Sequence, residues 1–358
     1  MIARTCFALA AATLLTGTAC AAPLNANEML QQFNVVVSGD LASTSHVDGR
    51  TYAGGNVSGG DYVQHVNDTP ASAYAGLTVG GSFSGVAHVN GLGLVTGGDA
   101  SGVNVNSGAS YIGGSSNGSS FGGAAWISGT ASNVNFNGAG HAGSYINTNN
   151  NNPLAAPTGA MNSTLAASTS TNFGAVMNGL SSQLSALHAT AGTSVSYSNN
   201  DSNVLLSGTA VNGVLVFDLT QEDSKIFSSK VTDISFNLHG AGTVIFNTND
   251  SSLSLTANFN QAQALGSQLI WNFAGHDTAV TVGRTFGGQV LVADGSFRNV
   301  GGANVEGGVF AKTLYQYGEI HLQSFTGTVP AAPVPEPGTY AMLLAGLGLM
   351  GAMLHRKK

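Results

Sequence analysis

The chain has 358 residues, only 8% of them charged, against roughly 25% in ordinary soluble domains. Lys and Arg number 10 and Asp and Glu 17; setting aside Arg4, Glu336, Arg356, Lys357 and Lys358 leaves 6 bases against 16 acids in the body, which excludes nucleic acid as a partner because such binders need clustered basic residues to displace phosphate counterions. Gly contributes 50 residues with no Gly-X-Y period and only 8 Pro, which excludes collagen, while a 43% hydrophobic share is too high for a chain that stays unfolded.

Residues 1–21 read as a signal peptide forming a short signal helix. Arg4 is the charged start, Cys6 to Leu15 the apolar run, and small residues follow. Ala19 and Ala21 suit a small-x-small cleavage site that makes Ala22 the new N-terminus, so the secretion translocon is an expected partner. Cleavage removes Cys6 and Cys20, the only cysteines, and with them any disulfide or thiolate metal site. A lipoprotein reading, with Cys20 lipidated, lacks the Leu expected three positions earlier.

Residues 22–326 form the body, and its first half repeats. Tyr52-Ala53-Gly54-Gly55-Asn56-Val57-Ser58-Gly59 returns from Thr78, from Val95 and from Tyr111, each time as a short strand, a Gly-Gly corner and a polar turn. Such units predict successive coils of a parallel β-helix, or β-solenoid. The corners need either positive φ or close backbone approach, which glycine alone tolerates. Val57, Phe83, Val95, Ile112, Trp126, Val134 and Phe136 are the expected inward stack. An antiparallel β-sandwich with Gly-rich hairpins is the competing arrangement.

Between Asp99 and Asp201 the chain has no Asp, Glu, Lys or Arg. Residues 147–170, Asn-rich and then Ser/Thr/Ala-rich, read as a loop. One long helix is expected at about 172–190: Phe173, Val176, Met177, Leu180, Leu184 and Leu187 make an apolar stripe, with Thr171 or Asn172 as cap and Gly192 as stop. It is expected to lie along the solenoid. The later runs 213–219, 243–247 and 252–256 suit strands buried on both faces.

Several blocks resemble the choice-of-anchor A family of bacterial surface adhesins. They are Phe33 to Leu41, Asp48 to Val57, Leu269 to Phe273, Gly287 to Ala293 and Val305 to Lys312. The order of coils, helix and further coils is also similar to the ice-binding β-helix architecture. The resemblance implies a surface role and adhesion, and it implies no catalytic residue.

Direct signs of chemistry are few. His46 and Asp48 stand at strand spacing, and Asp277 follows His276, but no second His stands at metal-ligand spacing. Gly81-Ser82-Phe83-Ser84-Gly85 has Phe where a nucleophile elbow needs Ser. Asn199 to Asn203 and Ala293-Asp294-Gly295 are the candidates for structural calcium, yet neither completes an EF-hand or a Gly-Gly-rich calcium repeat, and Asx-rich turns account better for both. Trp126 and Trp271 could stack on sugar or fill a core. No cofactor is expected.

Residues 327–337 form a Pro-rich linker that ends in Val334-Pro335-Glu336-Pro337, and residues 338–358 combine an apolar run with a basic tail. The run is long enough for a transmembrane helix whose basic end stays cytoplasmic. Its Gly346-Leu347-Gly348-Leu349-Met350-Gly351 matches a dinucleotide fingerprint in letters only, since neither the preceding strand nor the acidic ribose ligand is there. Motif, helix and basic tail together resemble the PEP-CTERM sorting signal, which implies an exosortase as partner; a plain membrane anchor is the alternative.

These expectations describe an exported surface or matrix protein that works by adhesion, with exopolysaccharide or other surface molecules as partners. Two other readings stand beside it. An ice-binding module calls for regular rows of Thr on a flat face, and a secreted polysaccharide-cleaving enzyme calls for at least two converging carboxylates, for which Asp99, Asp201 and Asp218 are the scattered candidates.

Overall fold

In a computed structural model that describes residues 22–150 and 152–331, each glycine-cornered repeat closes one coil. Tyr52 stands in register with Thr78, Thr78 with Val95, Val95 with Tyr111 and Tyr111 with Trp126, all in parallel strands. Strands two or three residues long survive because every coil lends its backbone donors and acceptors to the next. The chain is mainly β, with three walls around one apolar interior.

The first wall stacks twelve strand segments. In spatial order they fall at 214–218, 243–248, 269–273, 289–292, 309–311, 35–37, 51–53, 77–79, 94–96, 110–112, 125–127 and 140–142. The second wall runs beside it from 252–255 through 313–316 and 41–43 to 145–146. The third runs from 286–287 through 320–321 and 46–47 to 135–136. The spatial order is not the chain order. The chain starts mid-stack, winds to one end near Ile146, crosses to the far end, and winds back until 309–311 pairs with 35–37.

Of three longer helices, the second and third make that crossing and the first precedes the coils. α1 (Ala26–Gln32), α2 (Gly159–Ser168) and α3 (Phe173–Ser185) have side-chain N-caps Asn25, Thr158 and Asn172. α2 touches the strands at 94–96 and 110–112, and α3 touches the five consecutive segments from 243–248 to 35–37. The thirteen residues of α3 cover about 19 Å at 1.5 Å each, and five rungs span about the same at roughly 4.8 Å apart. Under α3 lie Val36, Val216, Ile245, Ile270, Leu291 and Phe310, so these segments are apolar on both faces. Asn272, fully buried, fixes the helix by accepting from Ser181 Oγ at 2.7 Å and donating to Ser181 O at 3.1 Å and Asn247 Oδ1 at 2.9 Å.

Two kinds of glycine build the corners. A Cβ on Gly80 would strike the carbonyl of Gly54, one on Gly97 that of Gly80 and one on Gly113 that of Gly97, so the Gly-Gly corners need close approach. At the next corner Gly59, Gly85, Gly102 and Gly118 take positive φ, and in the last coils Asn133 and Asn147 take the same position at +52° and +50°. Asn is the side chain that tolerates this region best.

Several sequence expectations need correction. Val95 and Trp126 point outward, because alternation along each strand sends Leu94 and Ile127 inward instead; Val95 is buried, and Trp126 stacks on His141 at 3.7 Å between ring centroids. The helix expected at about 172–190 is α3, which keeps the Asn172 cap but ends at Ser185, well before Gly192, and a further helix occupies 159–168, read as loop. The segment 252–255 alternates exposed Ser with buried Leu and is covered on one face only. Among the described residues no helix is long and apolar enough to cross a membrane. The segments 1–21 and 338–358, where a signal helix and a transmembrane helix are expected, lie outside the described residues.

Candidate functional site

The helices occupy the first wall and leave the second open along most of its length. Its outward row runs Ser254, Thr281, Arg298, Tyr315, Ala42, Ser58, Ser84, then Ser101, Asn117, Ser132 and Ile146. Ser58, Ser84 and Asn117 are exposed, and Ser101 and Ser132 half-buried. From Ser58 to Ser132 the row offers only hydroxyl and amide groups at rung spacing.

A side-chain ladder stiffens one margin of this row along its length, and a shorter one stiffens the other margin at the last three coils. On one side, Asp40 Oδ1 accepts from Asn56 N, Asn56 Oδ1 from Ser82 N, Ser82 Oγ from Asp99 N, Asp99 Oδ1 from Ser115 N and Ser115 Oγ from Thr130 N, at 2.7–3.1 Å. On the other, Asn147 donates to Asn133 and Asn133 to Asn117 at 3.3 Å. These hydrogen bonds inside the protein leave the ladder side chains ordered before any partner arrives.

A second cluster sits on the third wall where the two halves of the chain meet. His321 Nδ1 lies 2.7 Å from Glu306 Oε1 and its Nε2 2.7 Å from Glu319 Oε2. His46 Nε2 is 3.5 Å from Glu319 Oε1, and His65 Nδ1 is 3.7 Å from the buried Asp48 Oδ2. They border a cavity of about 320 Å³. Burial alone would lower the His321 pKa, but its hydrogen bonds to Glu319 and Glu306, with the charges of Glu306 and Asp48, leave it raised above 6.5. The bond from His321 holds Glu319 below 4.5, against some desolvation and with help from the charges of His46 and His321. With both ring nitrogens engaged, His321 is a tie between chain segments; neither nitrogen is free to serve as a base or a ligand.

The other candidate residues fall apart in space. His46 and Asp48 flank Val47 as expected, within that cluster. Glu306, Glu319, His321 and His65 were not anticipated, although Glu319-Ile320-His321 repeats the strand spacing of His46-Val47-Asp48 and so carried the signal. His276, Asp277 and Asp294 converge, yet Lys312 Nζ stands 3.0 Å from Asp294 and 3.8 Å from Asp277 as their counter-charge. Asn199, Asn200 and Asp201 form the turn, all at positive φ, of the antiparallel pair 194–198 and 203–207. Asp99 belongs to the ladder, Asp201 pairs with Lys225 and Asp218 accepts from Thr220. Trp271 is fully buried in the core, stacked on Phe246 at 4.1 Å.

Ala22 is exposed at the start of the described residues; Ala19, Ala21, Val334, Pro335, Glu336 and Pro337 lie outside them. Comparison with known proteins supplies what the coordinates do not. Residues 26–322 match the family described as "Putative Ice-binding-like adhesive domain", and residues 333–357 match the PEP-CTERM protein-sorting motif. No curated protein and no solved structure matches the chain. A family match over most of the length, on a parallel-stranded solenoid with one polar wall left open, identifies the chain as a member of this ice-binding-like adhesive domain family, carrying a PEP-CTERM motif and thereby marked as an exported surface protein.

Proposed function

We propose that the protein is an adhesin of the choice-of-anchor A type, which makes contact through its open second wall and is delivered to the cell surface or extracellular matrix by an exosortase. The observation that carries this reading is the row from Ser58 to Ser132. Hydroxyls and amides repeat at rung spacing on a wall that no helix covers, with stiffened margins and no charged side chain in the row. A surface of this kind offers many weak hydrogen bonds in a fixed array, which suits a repetitive partner such as a polysaccharide better than a single small molecule.

The route follows from the two ends: translocon, signal removal at Ala19-x-Ala21 before Ala22, then transient anchoring through 338–358 until the exosortase acts at Pro335-Glu336-Pro337. Residues 22–326 act as the adhesive unit and 327–337 as its linker. The role is contact and not catalysis.

The test is attachment of cells to glycan-coated and bare surfaces. Deleting the gene should lower attachment, and a chain with Ser58, Ser84 and Ser101 changed to Glu should fail to restore it although it still folds. Attachment unchanged by deletion on every surface tried would overturn the reading. Thermal hysteresis or glycan cleavage by the purified protein would point instead to an ice-binding module or an enzyme.

A further inference from the structure

The outward row of the second wall changes character at one place. Arg298, Tyr315, Ala42, Ser58 and Ser84 are successive cross-strand neighbours. A methyl group between a phenol ring and two serines leaves a depression of about 380 Å³, with Tyr315 as its aromatic wall and Asp40, Asn56, Ser58, Ser84 and Thr313 as its polar lining. Tyr315 is 39% exposed and stands at the end of the run of small side chains that begins with Ala42, Ser58 and Ser84. On the side away from Ala42, the Arg298 guanidinium lies 5.2 Å from the Tyr315 ring centroid and 5.5 Å from that of Tyr317. Arg298 makes no ion pair among the described residues, so the two rings are what holds it, and it in turn steadies Tyr315.

We propose that this depression is a binding site for a neutral polysaccharide, with one sugar ring stacked on Tyr315 and its neighbours hydrogen-bonded along Ser58 and Ser84. The proposal rests on the contact role given above and names where and what that contact is. A pyranose has an apolar face of C–H groups and an edge of hydroxyls. An exposed aromatic ring beside unengaged polar groups meets both. Asp40 uses only Oδ1, towards Asn56 N, and Asn56 uses only Oδ1 among its side-chain atoms, towards Ser82 N. That leaves Asp40 Oδ2, Asn56 Nδ2 and the Ser58 and Ser84 hydroxyls for ligand hydroxyls. Ala42, Ser58 and Ser84 follow one another at about 4.8 Å, close to the length of one pyranose, so a chain laid across the rungs keeps step with them.

The lining also decides the charge of the ligand. It contains the Asp40 carboxylate and no Lys or Arg, so a uronate or sulfate group placed beside Asp40 and Ser58 meets repulsion, while Arg298 lies beyond Tyr315, on the side away from Ala42. Holding Tyr315 in place beforehand reduces the entropy lost on binding.

The test is calorimetric titration of the full-length protein, in a non-glycosidic detergent, with neutral hexasaccharides of glucose, mannose and galactose and with a galacturonate hexasaccharide. At least one neutral sugar should bind, and more tightly than the galacturonate. Tyr315→Ala should weaken it about tenfold or more, and Tyr315→Phe, which keeps the ring, should stay within about threefold. Equal unfolding midpoints for the two variants exclude misfolding as the cause. Absence of binding by all three neutral sugars, preference for the galacturonate, or unchanged affinity in Tyr315→Ala overturns the proposal. The site and the contact role fail separately. Glycan binding with attachment unaffected by gene deletion sinks the contact role alone, and attachment lost on deletion with no glycan binding sinks the site alone.

Discussion

Val35 and Val309, at opposite ends of the body in sequence, face each other in register on adjacent rungs. Their pairing closes the stack in its middle, so the seam between first and last coils is stabilised by residues that are among the farthest apart in the chain. A seam of this kind concentrates loop-closure cost in a few contacts, and those contacts should be sensitive to substitution.

Asn34 is the plainest case. Its Nδ2 donates to Gly307 O at 2.7 Å and His321 O at 3.1 Å, and its Oδ1 accepts from Gly49 N at 3.0 Å, all at 2% exposure. Asn34→Ala orphans two buried backbone groups and one partly buried one and should cost about 3 kcal/mol, read as a lower urea midpoint with little change in slope.

The histidine cluster should give the seam a pH optimum. His321, raised above its ordinary 6.5, contributes stability in full below 6.5 and loses it as pH rises through the raised value. Glu319, held below its ordinary 4.5, contributes above 4.5 and loses it as pH falls through the lowered value. Unfolding followed across pH should therefore show greatest seam stability between about 4.5 and 6.5. His321→Gln should flatten the alkaline limb; an unchanged limb would show that Glu306, Glu319, Asp48, His46 and His65 do not report through His321.

The two kinds of corner glycine should respond differently to alanine. At Gly97 an added Cβ meets the Gly80 carbonyl, whereas at Gly118, with φ of +62°, it meets nothing within 4 Å. Gly118→Ala should cost about 1 kcal/mol for left-handed backbone. Gly97→Ala should cost more, because coils must separate to admit it, and circular dichroism melting of the two variants ranks them.

Removing the helix clamp should loosen α3 without unwinding the coils. Asn272→Ala deletes its bonds to Ser181 and Asn247 and should cost about 2–4 kcal/mol as buried partners lose their bonds. Hydrogen exchange should rise across Phe173–Ser185 and stay slow in the strands at 51–53 and 77–79.

Processing offers a check on the proposed route. Glu336→Ala should leave a protein that reaches the membrane and accumulates uncleaved, heavier on an immunoblot than the mature form. Normal maturation of that variant would set aside the exosortase step.

Much of the coil was legible because its chemistry is local. The Gly-Gly pairs, the inward Val57, Phe83 and Ile112, and the Asn172 cap are written within a few residues of where they act. Apolar character alone points Val95 and Trp126 inward; alternation along the strands turns both outward, and Val95 is buried there all the same. α2 is hard to see in a Ser/Thr/Ala stretch because its own pattern carries little amphipathicity; Thr158 capping and its place against the strands at 94–96 and 110–112 set the helix. The cluster around His321 escaped notice because its members come from both ends of the body.

The amino-acid order by itself determined the repeating coil, the sorting motif and the scarcity of charge, since each depends on residues close together in the chain. Only the tertiary structure decided the order in which the coils stack, which wall the helices cover, and therefore which wall stays open. Those outcomes depend on register between strands such as 35–37 and 309–311, and parallel pairing of that kind is a contest among whole surfaces that no local sequence pattern records.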